Sequence, residues 1–85
     1  MILVKPLSEL AVKNARPSEK TYKIFDGRGL YLEVLPSGTK SWRLKYSDSD
    51  GRDRRYSFGR YPEVTLKQVR EMAANFRVQL KNGSL

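Results

Sequence analysis

The sequence predicts an α+β fold: a three-stranded antiparallel β-sheet meander with a C-terminal α-helix packed on one face and a short N-terminal helix before it. Three observations predict it. Apolar and polar side chains alternate between residues 30 and 58, which is the period of a β-strand. Short turn-like segments separate the alternating runs, which favours antiparallel pairing. One apolar stripe at helical spacing then runs from residue 66 to residue 80.

The first predicted element is a short helix from Glu9 to residue 14 or 15. Ser8 is its N-cap, because a serine hydroxyl accepts a hydrogen bond from an unpaired first-turn amide. Leu7 and Val12 have the spacing of a hydrophobic staple across that turn. Pro17 ends the helix, since it disfavours helical geometry in the residue before it.

The sheet comes next. Residues 22–25 are read as a short extended segment that is not counted as a strand, and the glycine-rich residues 26–29 as a turn. Turns at residues 36–39 and 48–53 separate the three predicted strands, which cover about residues 30–35, 41–47 and 54–58.

The alternation gives the sheet one apolar face and one mainly basic face. The apolar phase holds Leu30, Leu32, Val34, Trp42, Leu44, Tyr46, Tyr56 and Phe58. The opposite phase holds Tyr31, Glu33, Arg43, Lys45, Arg55 and Ser57. Glu33 is the one acid in that phase, which favours a binding role over a merely solvated face.

The second helix has clear start and stop signals. Residues 59–62 are predicted to end the sheet, and Thr65 with Gln68 forms a capping box. Asn82-Gly83 is a plausible stop. The apolar stripe consists of Leu66, Val69, Ala73, Phe76 and Leu80. A one-sided sheet and a one-sided helix are each unstable in water, so we expect them to cover each other.

Composition narrows the function. The 85 residues suggest one domain, and 17 Lys and Arg against 9 Asp and Glu give a net charge of +8. Polyanions such as DNA, RNA or an anionic membrane surface are the natural partners. There is no apolar run of the roughly 20 residues that a membrane span requires. The apolar opening Met1–Val4 is too short for a secretion signal, so we expect a cytoplasmic protein without a membrane partner.

No catalytic, metal or cofactor site is expected. The chain has no histidine and no cysteine, which removes the commonest general base and the thiolate ligands. The run from Asp48 to Gly51 fails as a calcium loop, because Tyr46 and Ser57 would occupy its first and twelfth positions. Gly27-Arg28-Gly29 fails as a dinucleotide fingerprint, because Leu32 stands where the third glycine would be. Both are read as turns.

Four linked motifs carry a family resemblance over about residues 7–83. They are Ala11-Val12-Lys13-Asn14-Ala15-Arg16-Pro17, Asp26-Gly27-Arg28-Gly29-Leu30-Tyr31-Leu32-Glu33-Val34, Pro36-Ser37-Gly38-Thr39-Lys40-Ser41-Trp42-Arg43, and Gly59-Arg60-Tyr61-Pro62-Glu63-Val64-Thr65-Leu66 with Val69-Arg70. Together they resemble the amino-terminal arm-type DNA-binding domain of prophage and genomic-island integrases of the tyrosine recombinase family.

The resemblance implies a double-stranded DNA partner. In such integrases the sheet face opposite the helix is expected to enter the major groove of arm-type sites that flank the attachment site. Core-binding and catalytic domains and other integrase subunits are expected in the full recombinase. The arginine, lysine, histidine and tyrosine constellation of the catalytic domain has no counterpart here. We therefore expect a fragment that is not itself an enzyme, working on bacterial nucleoid DNA.

The leading hypothesis assigns eight residues to DNA binding. Arg43, Lys45 and Arg55 would enter the groove and read base edges or phosphates, and Tyr31 would pack against sugar or a thymine methyl group. Phosphates at the groove walls would be clamped by Lys40, Arg52, Arg54 and Arg60.

Two alternatives stay open. A protein-interaction module would dock recombinase subunits or accessory factors through Tyr31 and Leu35, or through the last strand as a sheet edge. RNA binding is less favoured, because sheets that bind single strands present aromatic side chains on the open face, and here only Tyr31 is expected there.

Overall fold

A four-stranded antiparallel sheet with two helices against one face forms the fold in the computed structural model, which describes residues 6–83. The opening Met1–Val4, interpreted above, lies outside the described residues. The elements in chain order are α1 (Glu9–Asn14), β1 (Tyr22–Gly27), β2 (Leu30–Val34), β3 (Lys40–Ser47), β4 (Asp53–Tyr61) and α2 (Leu66–Lys81). The strands lie side by side in the order β1-β2-β3-β4, which confirms the antiparallel meander.

The sheet has one strand more than the sequence predicted. The segment read as merely extended is β1, and it pairs along β2 with Tyr22 opposite Val34 and Ile24 opposite Leu32. The prediction of three strands is therefore wrong. β1 was missed because its apolar alternation is interrupted: Phe25 falls in the phase that faces away from the helices.

The last strand is longer than predicted and contains a β-bulge. Gly59–Pro62 was expected to end the sheet, but β4 continues to Tyr61. Trp42 pairs with Gly59 whereas Arg43 pairs with Ser57, so Phe58 is an extra residue between the two pairs. The bulge reverses the alternation of side chains along β4 and turns Arg60 to the face away from the helices.

The core lies between the sheet and the helices, as the strand phase predicted. Trp42 and Leu44 are fully buried and belong to the same cluster as Val69 and Ala73 of α2. The Trp42 indole donates from Nε1 to the Val64 backbone oxygen at 2.8 Å, so the largest core side chain also has its polar atom satisfied. Within residues 6–83 no helix is long and apolar enough to cross a membrane.

Both predicted N-caps are confirmed. The Ser8 hydroxyl accepts from the Ala11 amide at 3.0 Å. Thr65 and Gln68 form a reciprocal capping box, with contacts of 2.9 and 3.2 Å. Leu7 and Val12 are both buried in the core cluster, which ties α1 to the sheet. These contacts fix the two helices on one face and leave the other face open.

Candidate nucleic-acid interface

The sheet face that points away from the helices, called the outer face below, gathers five basic side chains from three strands. Cross-strand pairing places Lys45 opposite Arg55, and Arg60 opposite Ser41. The five are Lys23, Arg43, Lys45, Arg55 and Arg60. Four are exposed, and the Arg43 side chain retains 39% of its exposure. The outer face is therefore a solvent-facing surface with an excess of positive charge.

Tyr31 points to the outer face but is not exposed, so the prediction that it lies open there is wrong. Its side chain is only 1% exposed. The Phe25 ring lies 5.2 Å from the Tyr31 ring, and the Lys23 ammonium lies 5.2 Å from the Tyr31 ring centroid. The unpredicted strand β1 supplies both covering side chains. Phe25, which is 45% exposed, is consequently the accessible aromatic residue of the outer face.

Lys40 lies on the other side of the sheet. Its ammonium donates to the backbone oxygens of Val12 at 2.7 Å and Lys13 at 2.9 Å, at the C-terminal end of α1. A cation there satisfies carbonyls that lack a partner inside the helix. The Lys40 ammonium therefore makes its hydrogen bonds on the helix side of the sheet. It was expected from the sequence to clamp a phosphate beside the opposite face.

Arg52 and Arg54 belong to the hairpin between β3 and β4, and this turn is confirmed. The Asp48 carboxylate accepts from the amides of Asp50 and Arg52, both at 2.9 Å, and from Arg54 Nε at 2.8 Å. The hydrogen bond from Arg54 holds the pKa of Asp48 below its usual value. Arg54 pairs with Tyr46 and so has the phase of the helix side. Arg52 is exposed in the loop before β4, where its backbone oxygen accepts from the Asp48 amide at 2.9 Å.

The eight predicted residues therefore separate into two groups. Arg43, Lys45, Arg55 and Arg60 come together on the outer face. Tyr31 is covered, and Lys40, Arg52 and Arg54 lie elsewhere. Sequence reasoning missed Lys23 and Phe25, and the signal that would have found them is the alternation of Tyr22 and Ile24 with Lys23, had β1 been counted as a strand.

A basic sheet face, backed on its other side by helices that close the core, is typical of a small nucleic-acid-binding module. The sequence comparison agrees with this class and narrows it. Residues 7–84 match the arm DNA-binding domain family, and the chain belongs to that family of DNA-binding domains.

The relatives are phage and prophage integrases. The integrase of Enterobacteria phage P4 is 51% identical over 65 residues, which are 75% of this chain and 15% of that protein. The prophage integrase IntS of Escherichia coli (strain K12) is 40% identical over 72 residues, covering 85% of this chain and 18% of that protein. The prophage integrase IntZ of the same strain is 39% identical over 80 residues, covering 92% and 20%. The chain thus spans a fifth or less of the length of these integrases.

Proposed function

We propose that this chain binds double-stranded DNA sequence-specifically at arm-type sites flanking a phage or genomic-island attachment site. In this proposal it supports site-specific recombination, the integration and excision of DNA, by a full-length integrase of which it is one domain. The observation that carries the proposal is the outer face: five basic side chains project from one side of a sheet whose other side is closed by α2.

The dimensions suit a major groove. That groove is about 12 Å wide and admits a two-stranded β-ribbon. Strands in a sheet lie about 4.8 Å apart, so β3 and β4 together fit between the groove walls. These two strands carry Arg43, Lys45, Arg55 and Arg60. We infer that the first three reach bases or phosphates inside the groove, while Arg60 and Lys23 contact the flanking phosphates.

A footprint tests this proposal directly. The 85-residue chain is titrated on DNA from the attachment site of its own element and, in parallel, on random duplex. The proposal expects protected segments outside the crossover region, in which methylation of guanine N7 in the major groove is blocked. Equal binding to both DNAs would contradict sequence specificity.

A second candidate function, docking of recombinase subunits or accessory proteins, draws on a different surface. An apolar groove runs between β4 and α2, where Tyr56 is 46% exposed and Met72 is 38% exposed beside the Phe76 ring. β4 is also an edge strand, and such edges accept a strand from another chain. The expected anchor Tyr31 does not support this candidate, because it is covered.

Salt separates the two functions. Four phosphate contacts, with Arg43 on a base, give a slope of about −3.6 in log K against log salt, and five give about −4.5. An apolar contact in the groove between β4 and α2 survives raised salt. Anisotropy titrations of labelled duplex at several salt concentrations measure the slope, and a slope near zero would contradict a phosphate-driven interface.

A further inference from the structure

Glu33 is an acid placed among the basic side chains of the outer face. It lies between β1 and β3, opposite Lys23 on one side and Ser41 on the other. Its side chain is 17% exposed, and its Oε1 atom lies 3.4 Å from Arg43 Nε. A carboxylate at this position weakens attraction to a polyanion, because like charges repel across a few ångströms. If the outer face binds DNA, we expect Glu33 to contribute something that outweighs this loss of attraction.

The contact with Arg43 indicates that role. Arg43 sits diagonally from Glu33 across β2 and β3, a separation that long side chains bridge in antiparallel pairs. Its Nε atom is buried and makes no hydrogen bond among the described residues, so Glu33 meets it as an ion pair, whereas the side chain as a whole retains 39% exposure. The exposed surface therefore lies on the other atoms of the side chain. Tyr31, directly opposite Arg43, is a buried neighbour.

We propose that the Glu33 carboxylate orients Arg43 so that its terminal guanidinium nitrogens point out of the sheet, toward O6 and N7 of a guanine in the major groove. Glu33 is then a positioning residue that determines sequence specificity. The inference rests on the proposed DNA-binding function and adds to it: Arg43 reads a base, whereas Lys45, Arg55 and Arg60 supply affinity for any duplex. A bidentate arginine needs a restrained guanidinium plane, and the ion pair with the Glu33 carboxylate at 3.4 Å restrains it from the buried end.

Two substitutions separate the effect of the negative charge of Glu33 from the effect of its side-chain length. Glu33→Asp keeps the charge but shortens the side chain by one methylene group, so the contact with Nε is lost. Glu33→Gln removes the charge. Asp53→Asn is the matched control, because Asp53 is an exposed acid at the far end of the same face, opposite Ser47.

The experiment uses the 85-residue chain. A duplex is first selected from a random library with the wild-type chain, and the dissociation constants for the selected and a scrambled duplex are then compared. We expect Glu33→Asp to lower the ratio between them by about fivefold or more, with scrambled binding within about twofold of wild type. We expect Glu33→Gln to lower the ratio as well, while Asp53→Asn strengthens binding to both duplexes and leaves the ratio unchanged.

A base-analogue scan identifies the atom that is read. Each guanine of the selected duplex is replaced in turn by 7-deazaguanine, which lacks the N7 acceptor. One replacement should weaken wild-type binding by about fivefold or more. Arg43→Ala, which removes the guanidinium and every donor it carries, should be insensitive to that same replacement. If the ion pair between Glu33 and Arg43 were only structural, wild type and the Arg43 variant would respond equally to every 7-deazaguanine replacement.

Three results are decisive. If the wild-type chain selects no sequence, the proposed sequence-specific function fails, and this inference fails with it. If it selects a sequence but Glu33→Asp keeps the wild-type ratio, the inference alone is overturned. If Glu33→Asp does not fold by circular dichroism, Glu33→Gln decides: an unchanged ratio between the two duplexes overturns the inference, and a lowered ratio supports it.

Discussion

Arg70 of α2 donates hydrogen bonds to both carboxylate oxygens of Asp26, near the end of β1. Arg70 Nη2 lies 2.8 Å from Asp26 Oδ1, and Arg70 Nε lies 3.1 Å from Asp26 Oδ2. The backbone of Leu7 joins the pair, because its amide donates to Asp26 and its oxygen accepts from Arg70, both at 2.8 Å. One ion pair thus connects the sheet, the second helix and the segment that leads into α1.

Loss of this pair should weaken the fold. Asp26→Asn keeps an oxygen for the Leu7 amide but removes the charge that Arg70 faces. Because a hydrogen bond to a charged group contributes about 1.5–3 kcal/mol, we expect a drop of that order in the free energy of unfolding. Urea unfolding followed by circular dichroism measures it. A variant with the same free energy of unfolding as wild type would show that the pair of Asp26 and Arg70 does not stabilise the fold.

The same pair predicts a pH dependence. Arg70, with help from the Leu7 amide, lowers the pKa of Asp26 in the folded protein, although burial acts in the opposite direction. A carboxyl whose folded pKa is depressed stabilises the fold above its ordinary pKa of about 3.9, and this contribution is lost as pH falls through the folded value. The stability difference between wild type and Asp26→Asn should therefore be full at pH 6 and shrink below pH 4. A difference that grows in acid would contradict the sign.

Gly29 is required by a close approach of two backbones. It has φ of +88°, and a Cβ there would lie 2.4 Å from the Lys45 backbone oxygen. Gly29→Ala should cost more than about 2 kcal/mol of stability, from the backbone strain and the clash together. Gly38→Ala is the matched control, with φ of +94° and no atom within 4 Å, so it should cost only the strain, about 1–2 kcal/mol. Equal losses in urea unfolding would show that the contact with Lys45 is unimportant.

Tyr31 should be dispensable for DNA contact. Its hydroxyl is buried without a hydrogen-bond partner among the described residues. Tyr31→Phe removes that group, so we expect stability to be unchanged or raised by up to about 1–2 kcal/mol. The affinity for DNA should stay within about twofold of wild type. Tyr31 is covered in the folded protein, so its hydroxyl makes no contact with the duplex that the substitution could remove. A large loss of affinity in a folded variant would mean that the outer face opens on binding.

Much of the fold followed from short-range patterns. Ser8, Thr65 and Gln68 act within one helical turn, and the alternation around Trp42 and Leu44 reports which face is buried. These signals need no knowledge of distant residues, so they were predicted correctly.

The errors arose where distant residues decide the outcome. β1 becomes a strand because β2 pairs with it, and its Phe25 then covers Tyr31. The bulge at Phe58 sets the direction of Arg60, and no local pattern announces it. Lys40 reaches α1 across 28 residues. Residue types predicted a basic face, but which basic residues occupy it depended on register and on these long-range contacts.

DNA is proposed to bind the outer face and not the helix side, and two matched double variants test this most directly. Arg43→Ala with Arg55→Ala removes two charges from the outer face, and Lys67→Ala with Lys81→Ala removes two exposed charges from α2. Anisotropy titration at one salt concentration should show at least about tenfold weaker binding for the first pair and less than about threefold for the second. Equal losses, or a larger loss from the α2 pair, would contradict the account.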